Sequence, residues 1–115
     1  MPSLNMTGPF ALNTSTIDSQ VTKTSPGNYA LGYMRDTTFI VQYVGRSDTD
    51  LNDRIGDYVD TKYKKFKYSY ATSPKAAFEK ECQNFHDFGG SAKLDNDIHP
   101  ARPNSASWKC PVCDK

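Results

Sequence analysis

Residues 27–47 read GNYALGYMRDTTFIVQYVGRS, and the fold prediction starts from this stretch. Over 29–33 a large apolar or aromatic residue stands at every second position, which is the period of a β-strand with one buried face. The polar residues at 35–37 interrupt this pattern, and a second run of β-forming residues fills 39–44. The stretch therefore predicts a β-hairpin.

Each strand of this hairpin carries a tripeptide with a glycine and a tyrosine at the end away from the turn, Gly27-Asn28-Tyr29 and Tyr43-Val44-Gly45. A three-residue loop at 35–37 would place Tyr29 directly opposite Tyr43, with Cβ atoms about 5 Å apart on one face. A loop one residue longer or shorter would break this pairing. The register therefore depends on the turn.

A helix, a third strand and a second helix are expected after the hairpin. Apolar residues at every fourth position over 51–59 predict a helix, and 66–70 has the composition of a strand. Ser73-Pro74 is a strong helix start, and that helix should run to about Phe88. The order β-β-α-β-α predicts an α/β (α+β) fold, a three-stranded antiparallel sheet flanked by helices.

The length of 115 residues indicates one domain with flanking segments. We expect residues 1–25 to form a weakly structured arm or a docked strand, 26–90 the domain, and 91–115 an irregular tail. No run approaches the roughly 18 apolar residues of a membrane span, and the first residues lack the pattern of a secretory signal. With three cysteines, an odd number for a disulfide framework, these features predict a cytoplasmic protein without a membrane partner.

The sequence over residues 26–90 resembles the GIY-YIG nuclease superfamily. Gly27-Asn28-Tyr29 looks like the first family tripeptide and Tyr43-Val44-Gly45 like the second. Arg54 stands where the family's helix carries its invariant arginine, and Ala76-Ala77-Phe78-Glu79 resembles the helix whose glutamate binds the metal. The chain departs from the family at Asn28, where an apolar residue is usual, and in a slightly longer hairpin.

The resemblance implies a metal-dependent endonuclease that hydrolyses phosphodiester bonds of DNA with Mg²⁺ or Mn²⁺. The implied catalytic residues are Tyr29 as general base, Tyr43 as its hydrogen-bonding partner, Arg54 on the phosphate, Glu79 on the metal, and Tyr58 and Asn96 in support. Simple chemistry agrees, because hydrolysis needs a proton acceptor, a fixed positive donor and a hard oxygen ligand for the ion. Glu81 is a rival for Glu79, but we expect Glu79 to flank the buried Phe78 and Phe85 better.

A second pattern predicts a structural zinc site. Cys110-Pro111-Val112-Cys113 is a C-x₂-C knuckle, which is half of such a site. Cys82 and His86, four residues apart on one helix, would complete a Cys₃His set, and His99 is the alternative histidine. The competing interpretations are that the last cysteines are ordinary thiols, or that His86 belongs to the active site.

Cations and rings alternate over residues 62–68, and this pattern is typical of surfaces that bind phosphates and stack on bases. The candidate nucleic-acid-binding residues are Arg46, Lys62, Lys64, Lys65 and Lys67. Since the net charge is only +1, such a surface has to be local. The simpler alternative is an amphipathic strand with its lysines in water and its rings in the core.

Two other functions are compatible with the same residues. One is a catalytically weakened nucleic-acid-binding module of the same fold, and the other is a protein-interaction module built on the zinc tail. A lone domain of this size also suggests a protein partner that supplies specificity.

Overall fold

The computed structural model describes residues 6–90 and 94–95, and seven secondary-structure elements lie in this part of the chain. In order they are β1 (Thr7–Ala11), α1 (Thr14–Gln20), β2 (Gly27–Arg35), β3 (Thr38–Ser47), α2 (Leu51–Gly56), β4 (Lys65–Tyr70) and α3 (Pro74–Asp87). None of the helices described is both long and apolar enough to span a bilayer.

The four strands form one antiparallel sheet in the order β1-β4-β2-β3. The predicted class and the element order over 26–90 are confirmed, but the predicted count of three strands is wrong. The fourth strand comes from residues 7–11, which pair with the outer edge of β4. β1 is an edge strand that directs one apolar side chain, Phe10, at the core, so its sequence pattern is weak. The sequence therefore indicated a docked strand only as one of two alternatives.

The hairpin turn is shorter than predicted. Arg35 pairs with Thr38, so only two residues lie in the turn, and a bulge between Leu31 and Gly32 then shifts the register. As a result Tyr29 pairs with Gly45, and the predicted direct pairing of Tyr29 with Tyr43 is wrong. The two tyrosines remain on the same face, because the shift relative to that prediction is by two residues and side chains alternate with period two.

The sheet lies between helices. On one face α1 and α2 cover a core that includes Ile17, Tyr29, Leu51 and Phe66. On the other face α3 covers the smaller residues of β2 and β3, with Phe85 at the centre of that contact. The candidate functional residues of β2 and β3 are therefore divided between two faces.

Asn28, the polar residue in the first tripeptide, has a structural explanation. It is fully buried on the α3 face, and its Nδ2 donates a hydrogen bond to the Ala77 carbonyl at 2.8 Å. An apolar side chain could not make this connection. The departure from the family pattern therefore ties β2 to α3.

The two predicted helices, α2 and α3, begin where they were expected to begin. The Ser73 hydroxyl caps α3 by accepting from the Ala76 N–H at 3.1 Å, and Pro74 occupies the first turn. Asp50 caps α2, but α2 ends at Gly56 and turns follow over 57–60. Tyr58 therefore lies in a turn after the helix, four residues beyond Arg54.

Candidate active site

Four tyrosine rings meet on the α2 face of the sheet, and they come from β2, β3, the turn after α2 and the segment before β4. Ring centroids of Tyr43 and Tyr58 lie 5.4 Å apart, and Tyr29 lies 5.7 Å from Tyr58 and 6.4 Å from Tyr43. Tyr63 completes the cluster at 6.1 Å from Tyr43. These separations are those of favourable aromatic pairs, so the cluster is a packed unit.

The glycine of the second tripeptide makes room for the tyrosine of the first. Tyr29 and Gly45 are direct partners across β2 and β3, and a Cβ at position 45 would collide with the outer end of the Tyr29 ring. The ring is only 1% exposed and has little room to move. The two tripeptides are therefore complementary in shape.

Arg54 brings a positive charge to this cluster from α2. Its charge interacts with the Tyr29 hydroxyl, and this interaction raises the pKa of Arg54 further. The Arg54 residue itself is exposed, so it can also reach a ligand in solvent. Arg54 and Tyr29, which the resemblance assigns to one site, interact electrostatically in the structure.

Burial raises the pKa of three phenols of the cluster, those of Tyr29, Tyr43 and Tyr63, and so favours their neutral form. Burial raises the pKa of Tyr29 well above its ordinary value, and the hydrogen bond with Tyr58 raises it further, while Arg54 acts in the opposite direction. Burial also raises the pKa of Tyr43. The Tyr29 hydroxyl donates to the Tyr58 hydroxyl at 3.4 Å, and Tyr58 is only half-buried. Solvent therefore reaches the cluster through Tyr43 and Tyr58 rather than through Tyr29.

Of the two α3 glutamates, Glu81 is within electrostatic reach of Tyr43, and Glu79 is not in the site. Glu79 lies on the exposed side of α3 and pairs with Lys75 at 3.9 Å. The helix geometry explains the difference, because Glu81 is three residues after Phe78 and four before Phe85, whereas Glu79 is about 100° away from Phe78. The expectation that Glu79 flanks the buried phenylalanines better is therefore wrong.

Glu81 stands at the edge of the sheet next to β3. Its side chain is about nine-tenths buried and pairs with the Arg46 guanidinium. Burial raises the pKa of the Glu81 carboxyl, and the charge of Arg46 opposes that rise. Tyr43 and Arg54 are both within electrostatic reach of this carboxylate. Glu81 and its partner Arg46 lie with α3, on the face of the sheet opposite the tyrosine cluster.

Arg46 is placed inside the protein rather than on a basic surface. Its Nε donates to Asp48 Oδ1 at 3.0 Å, its Nη1 contacts Glu81, and its guanidinium lies 5.1 Å from the Phe78 ring centroid. The side chain is only 12% exposed. The prediction that Arg46 contacts nucleic acid directly does not fit this placement.

Two residues near the cluster were missed in the sequence. Tyr63 belongs to the basic and aromatic stretch and lies two residues before the first residue of β4. Only this spacing indicated that its ring would lie in the core. Asp95 accepts from the Tyr63 hydroxyl at 3.0 Å and pairs with Lys62 Nζ at 2.8 Å. Its N–H also donates to the Gln42 carbonyl at 2.6 Å. No local pattern marks Asp95, because all of these contacts are distant in sequence.

The predicted lysines have different environments. Phe66 and Tyr68 of β4 point into the core, and Lys65 and Lys67 alternate with them on the other face, as an amphipathic strand requires. Lys67 Nζ lies 5.5 Å from the Phe39 ring centroid, and Lys64 is exposed. Lys65 and Lys67 therefore lie on the face opposite the tyrosine cluster, and Lys62 is paired with Asp95.

The proposed zinc ligands lie largely outside the described residues. Cys82 and His86 are one turn apart on α3, with Cys82 buried against Phe78. Asn96, His99, Cys110 and Cys113 are all outside residues 6–90 and 94–95. Within those ranges, no three His, Cys, Asp or Glu residues come together as a metal site. The zinc tail stays a prediction.

The chain matches no known protein-family model, no curated protein and no solved structure. The functional interpretation therefore rests on the residues of the site and their geometry.

Proposed function

We propose that this chain is a metal-dependent endonuclease of the GIY-YIG kind that hydrolyses phosphodiester bonds of DNA. The observation that carries the proposal is the electrostatic interaction of Arg54 with the hydroxyl of Tyr29, whose ring belongs to the tyrosine cluster. A carboxylate, Glu81, lies within electrostatic reach of the same arginine. A proton-transfer group, a positive donor and a hard oxygen ligand are the three parts that such hydrolysis requires.

Tyr29 and Tyr58 act together in the proposed proton transfer. Because burial keeps Tyr29 neutral, it can accept a proton from the attacking water only if its own hydroxyl proton moves on. The hydrogen bond from Tyr29 to Tyr58 provides that route towards solvent. Tyr43 packs against both rings and holds them in place. General-base assistance of this kind accelerates a reaction by roughly 10²–10⁴-fold.

Arg54 binds the phosphate in the proposed site. Its planar guanidinium is always charged and can donate two hydrogen bonds to neighbouring phosphate oxygens. The arginine is exposed on α2 while its head group is oriented by Tyr29. It is therefore oriented before the substrate arrives, as transition-state stabilisation requires.

Glu81 takes the role that the sequence resemblance gave to Glu79, that of the magnesium ligand. The donor set fits a hard ion, since Mg²⁺ is commonly held by one or two carboxylates with water and substrate oxygens completing its shell. The ion would stabilise charge on the phosphate oxygens. A carboxylate oxygen suits Mg²⁺ or Mn²⁺. In the structure Glu81 is paired with Arg46, and within residues 6–90 and 94–95 no group of three His, Cys, Asp or Glu residues surrounds it.

The proposed nucleic-acid surface is the run of lysines over residues 62–67, of which Lys65 and Lys67 lie on the face of the sheet opposite the tyrosine cluster. Lys64, Lys65 and Lys67 can neutralise backbone phosphates, and Lys62 joins them if its pair with Asp95 opens. The surface is small, which favours a protein partner that supplies sequence or structure specificity. We place this activity in the cytoplasm, in keeping with the cysteine content.

A catalytically weakened nucleic-acid-binding module is the second candidate. It is favoured by the burial of Tyr29 and by the pairing of Glu81 with Arg46, which both limit access to the reacting groups. This alternative keeps the lysine surface and predicts binding without hydrolysis.

A cleavage assay separates these two functions. Single-stranded, duplex and branched DNA are each incubated with the full chain in Mg²⁺ and in EDTA, and binding is measured in parallel by fluorescence anisotropy. The nuclease proposal predicts products in Mg²⁺ alone. Binding with no products in either condition would support the second candidate and exclude the first.

A further inference from the structure

Tyr33 is a large aromatic residue that the fold leaves in contact with solvent. It lies on β2 with 38% of its surface exposed, and it pairs across the hairpin with the half-buried Ile40. Side chains alternate along a strand, so Tyr33 shares a face of the sheet with Tyr29, four residues earlier. The exposed ring is therefore on the face of the tyrosine cluster, about 13 Å from Tyr29 along the strand.

Apolar and aromatic side chains connect Tyr33 with the cluster on this face. Tyr43 of β3 pairs with Leu31, and its ring centroid lies 5.4 Å from that of Tyr58. Both of these rings are only partly buried. The charge of Arg54 acts on the hydroxyls of Tyr43 and Tyr58, so the arginine lies at this end of the surface. We call this surface the aromatic strip, and it consists of Tyr33, Ile40, Tyr43 and Tyr58.

Cations stand at both ends of the aromatic strip. Arg54 is exposed at the end near the proposed active site. Lys64 is exposed at the other end, where its backbone N–H donates to the Gly32 carbonyl at 2.9 Å. Lys62 is a third cation, and it is paired with Asp95. Aromatic rings bordered by a few cations are typical of surfaces on which unpaired bases stack while phosphates contact the cations.

The strip suits a single strand better than a duplex. A base can stack on a protein ring only where its face is free, and the bases of a duplex are stacked on each other. Asp57 and Asp60 are exposed on either side of Tyr58 in the chain. Their charges oppose the dense phosphates of a duplex more than those of one strand. Stacking therefore has to supply most of the binding on this surface.

We propose that the aromatic strip binds the unpaired bases of a DNA strand and leads that strand to Arg54. This inference rests on the proposed function, because it takes Arg54 to hold the phosphate that is cleaved. It names the substrate class as single-stranded DNA or the unpaired arm of branched DNA. Lys65 and Lys67 lie on the opposite face of the sheet, so the bases at this strip are bound without them.

The direct test is the binding of a fluorescently labelled oligothymidylate, measured by anisotropy in EDTA so that the strand stays intact. We expect Tyr33→Ala to weaken binding by about tenfold, the order of one lost stacking contact. Tyr33→Phe keeps the ring and should bind as the wild type does. Because Tyr33 is exposed, both variants should fold, and circular dichroism checks this. Wild-type affinity in Tyr33→Ala would overturn the inference.

Phe39→Ala is the matched control on the other face of the same hairpin. The Phe39 ring is half-buried, packs with the residues that α3 covers and lies 5.5 Å from Lys67 Nζ. We expect this variant to bind oligothymidylate like the wild type. Binding that is lost in Phe39→Ala and kept in Tyr33→Ala would place the strand on the α3 face and contradict the proposal.

The choice of strand separates stacking from attraction between charges. A strand of equal length made of abasic sites has the phosphates without the bases, and we expect it to bind at least about tenfold more weakly. If Arg54 and Lys64 neutralise two phosphates, the logarithm of the binding constant should fall with the logarithm of salt concentration with a slope of about −1.4, or −0.7 for each. Equal binding of the abasic strand would exclude stacking on the strip.

Failure of this inference can be told apart from failure of the proposed function. If the wild-type chain cleaves DNA with Mg²⁺ but Tyr33→Ala binds oligothymidylate as well as the wild type, only the role of the strip is wrong. If binding depends on Tyr33 as described but no DNA is cleaved, the nuclease proposal fails and the strip remains. If the folded chain neither binds nor cleaves any strand, both fail, and the exposed rings are a surface for a protein instead.

Discussion

At the scale of single residues, the candidate site depends on two residues, Glu81 and Gly45, whose roles differ from those of similar or neighbouring residues. Glu81 and Glu79 differ by two positions on α3, yet one is buried against Arg46 and the other lies in solvent beside Lys75. Gly45 differs from its neighbours because the Tyr29 ring occupies the space that a side chain at position 45 would need. The difference between Glu81 and Glu79, and the fit of Gly45 to the Tyr29 ring, can each be tested by substitution.

The first test concerns the carboxylate. We expect Glu81→Gln to reduce Mg²⁺-dependent cleavage by roughly 10²–10³-fold, the usual loss when a stabilising group is removed from a transition state. Glu79→Gln removes the same charge from the exposed side of the same helix and should cleave like the wild type. Circular dichroism checks that both variants are folded. A loss confined to Glu79→Gln would return the role to that residue.

The second test concerns the fit of the two tripeptides. Gly45→Ala should destabilise the protein by about 1–3 kcal/mol, since the new methyl group overlaps the buried Tyr29 ring. Gly56→Ala is the control, because a Cβ there meets nothing within 4 Å and alanine favours the helix. Urea denaturation of both variants measures the difference. Equal stabilities would mean that the ring is not confined as described.

At the scale of elements, β1 is the component that the sequence described least well. Its Phe10 ring packs against Phe66 and Tyr68 of β4, with centroid distances of 5.7 and 6.1 Å. Pairing with β1 also covers the β4 edge, which would otherwise offer unpaired backbone groups to another chain. The N-terminal strand is therefore part of the domain rather than an appendage.

Truncation of that ring tests the contribution of β1. Phe10→Ala should lower the free energy of unfolding by about 2 kcal/mol, less than for a fully buried phenylalanine because Phe10 is half-buried. Thr7→Ala, on the same strand but exposed, should change it by less than about 0.5 kcal/mol. Chemical denaturation with amide exchange of β4 measures both effects. Unchanged protection of β4 in Phe10→Ala would show that β1 contributes little.

At the scale of the whole molecule, local sequence patterns predicted the secondary-structure elements but not all of the contacts between them. Periodicity marked both hairpin strands, and the Ser73-Pro74 start of α3 was visible because a helix cap is a local interaction. The two-residue turn and the bulge at Leu31 were not visible, since many turns tolerate the same polar residues. Asp95 was missed because it reaches Tyr63 and Gln42 only through the tertiary fold.

The buried phenols also give the whole molecule a predictable response to alkali. The pKa values of Tyr29, Tyr43, Tyr63 and Tyr68 are all raised in the folded state, with burial as the first cause. The folded chain then binds more protons than the unfolded chain above about pH 10, so stability should fall as pH rises beyond that value. Thermal unfolding between pH 8 and 11 measures the slope.

A tyrosine-to-phenylalanine pair identifies the source of that slope. Tyr29→Phe should flatten the fall in stability above pH 10, since a buried phenol is no longer kept from ionising. Tyr33→Phe, at an exposed position on the same strand, should leave it as in the wild type. Identical slopes for the two variants would rule out burial of Tyr29 as a cause.

The measurement that tests the central claim most directly is cleavage of branched and duplex DNA by the wild-type chain and by Arg54→Ala, in Mg²⁺ and in EDTA. We expect Mg²⁺-dependent products from the wild type and a loss of roughly 10²–10³-fold in Arg54→Ala, because the phosphate loses its oriented positive donor. Arg35→Ala, in the distant turn, should cleave normally. No products from the folded wild-type chain, or undiminished cleavage by Arg54→Ala, would contradict the account.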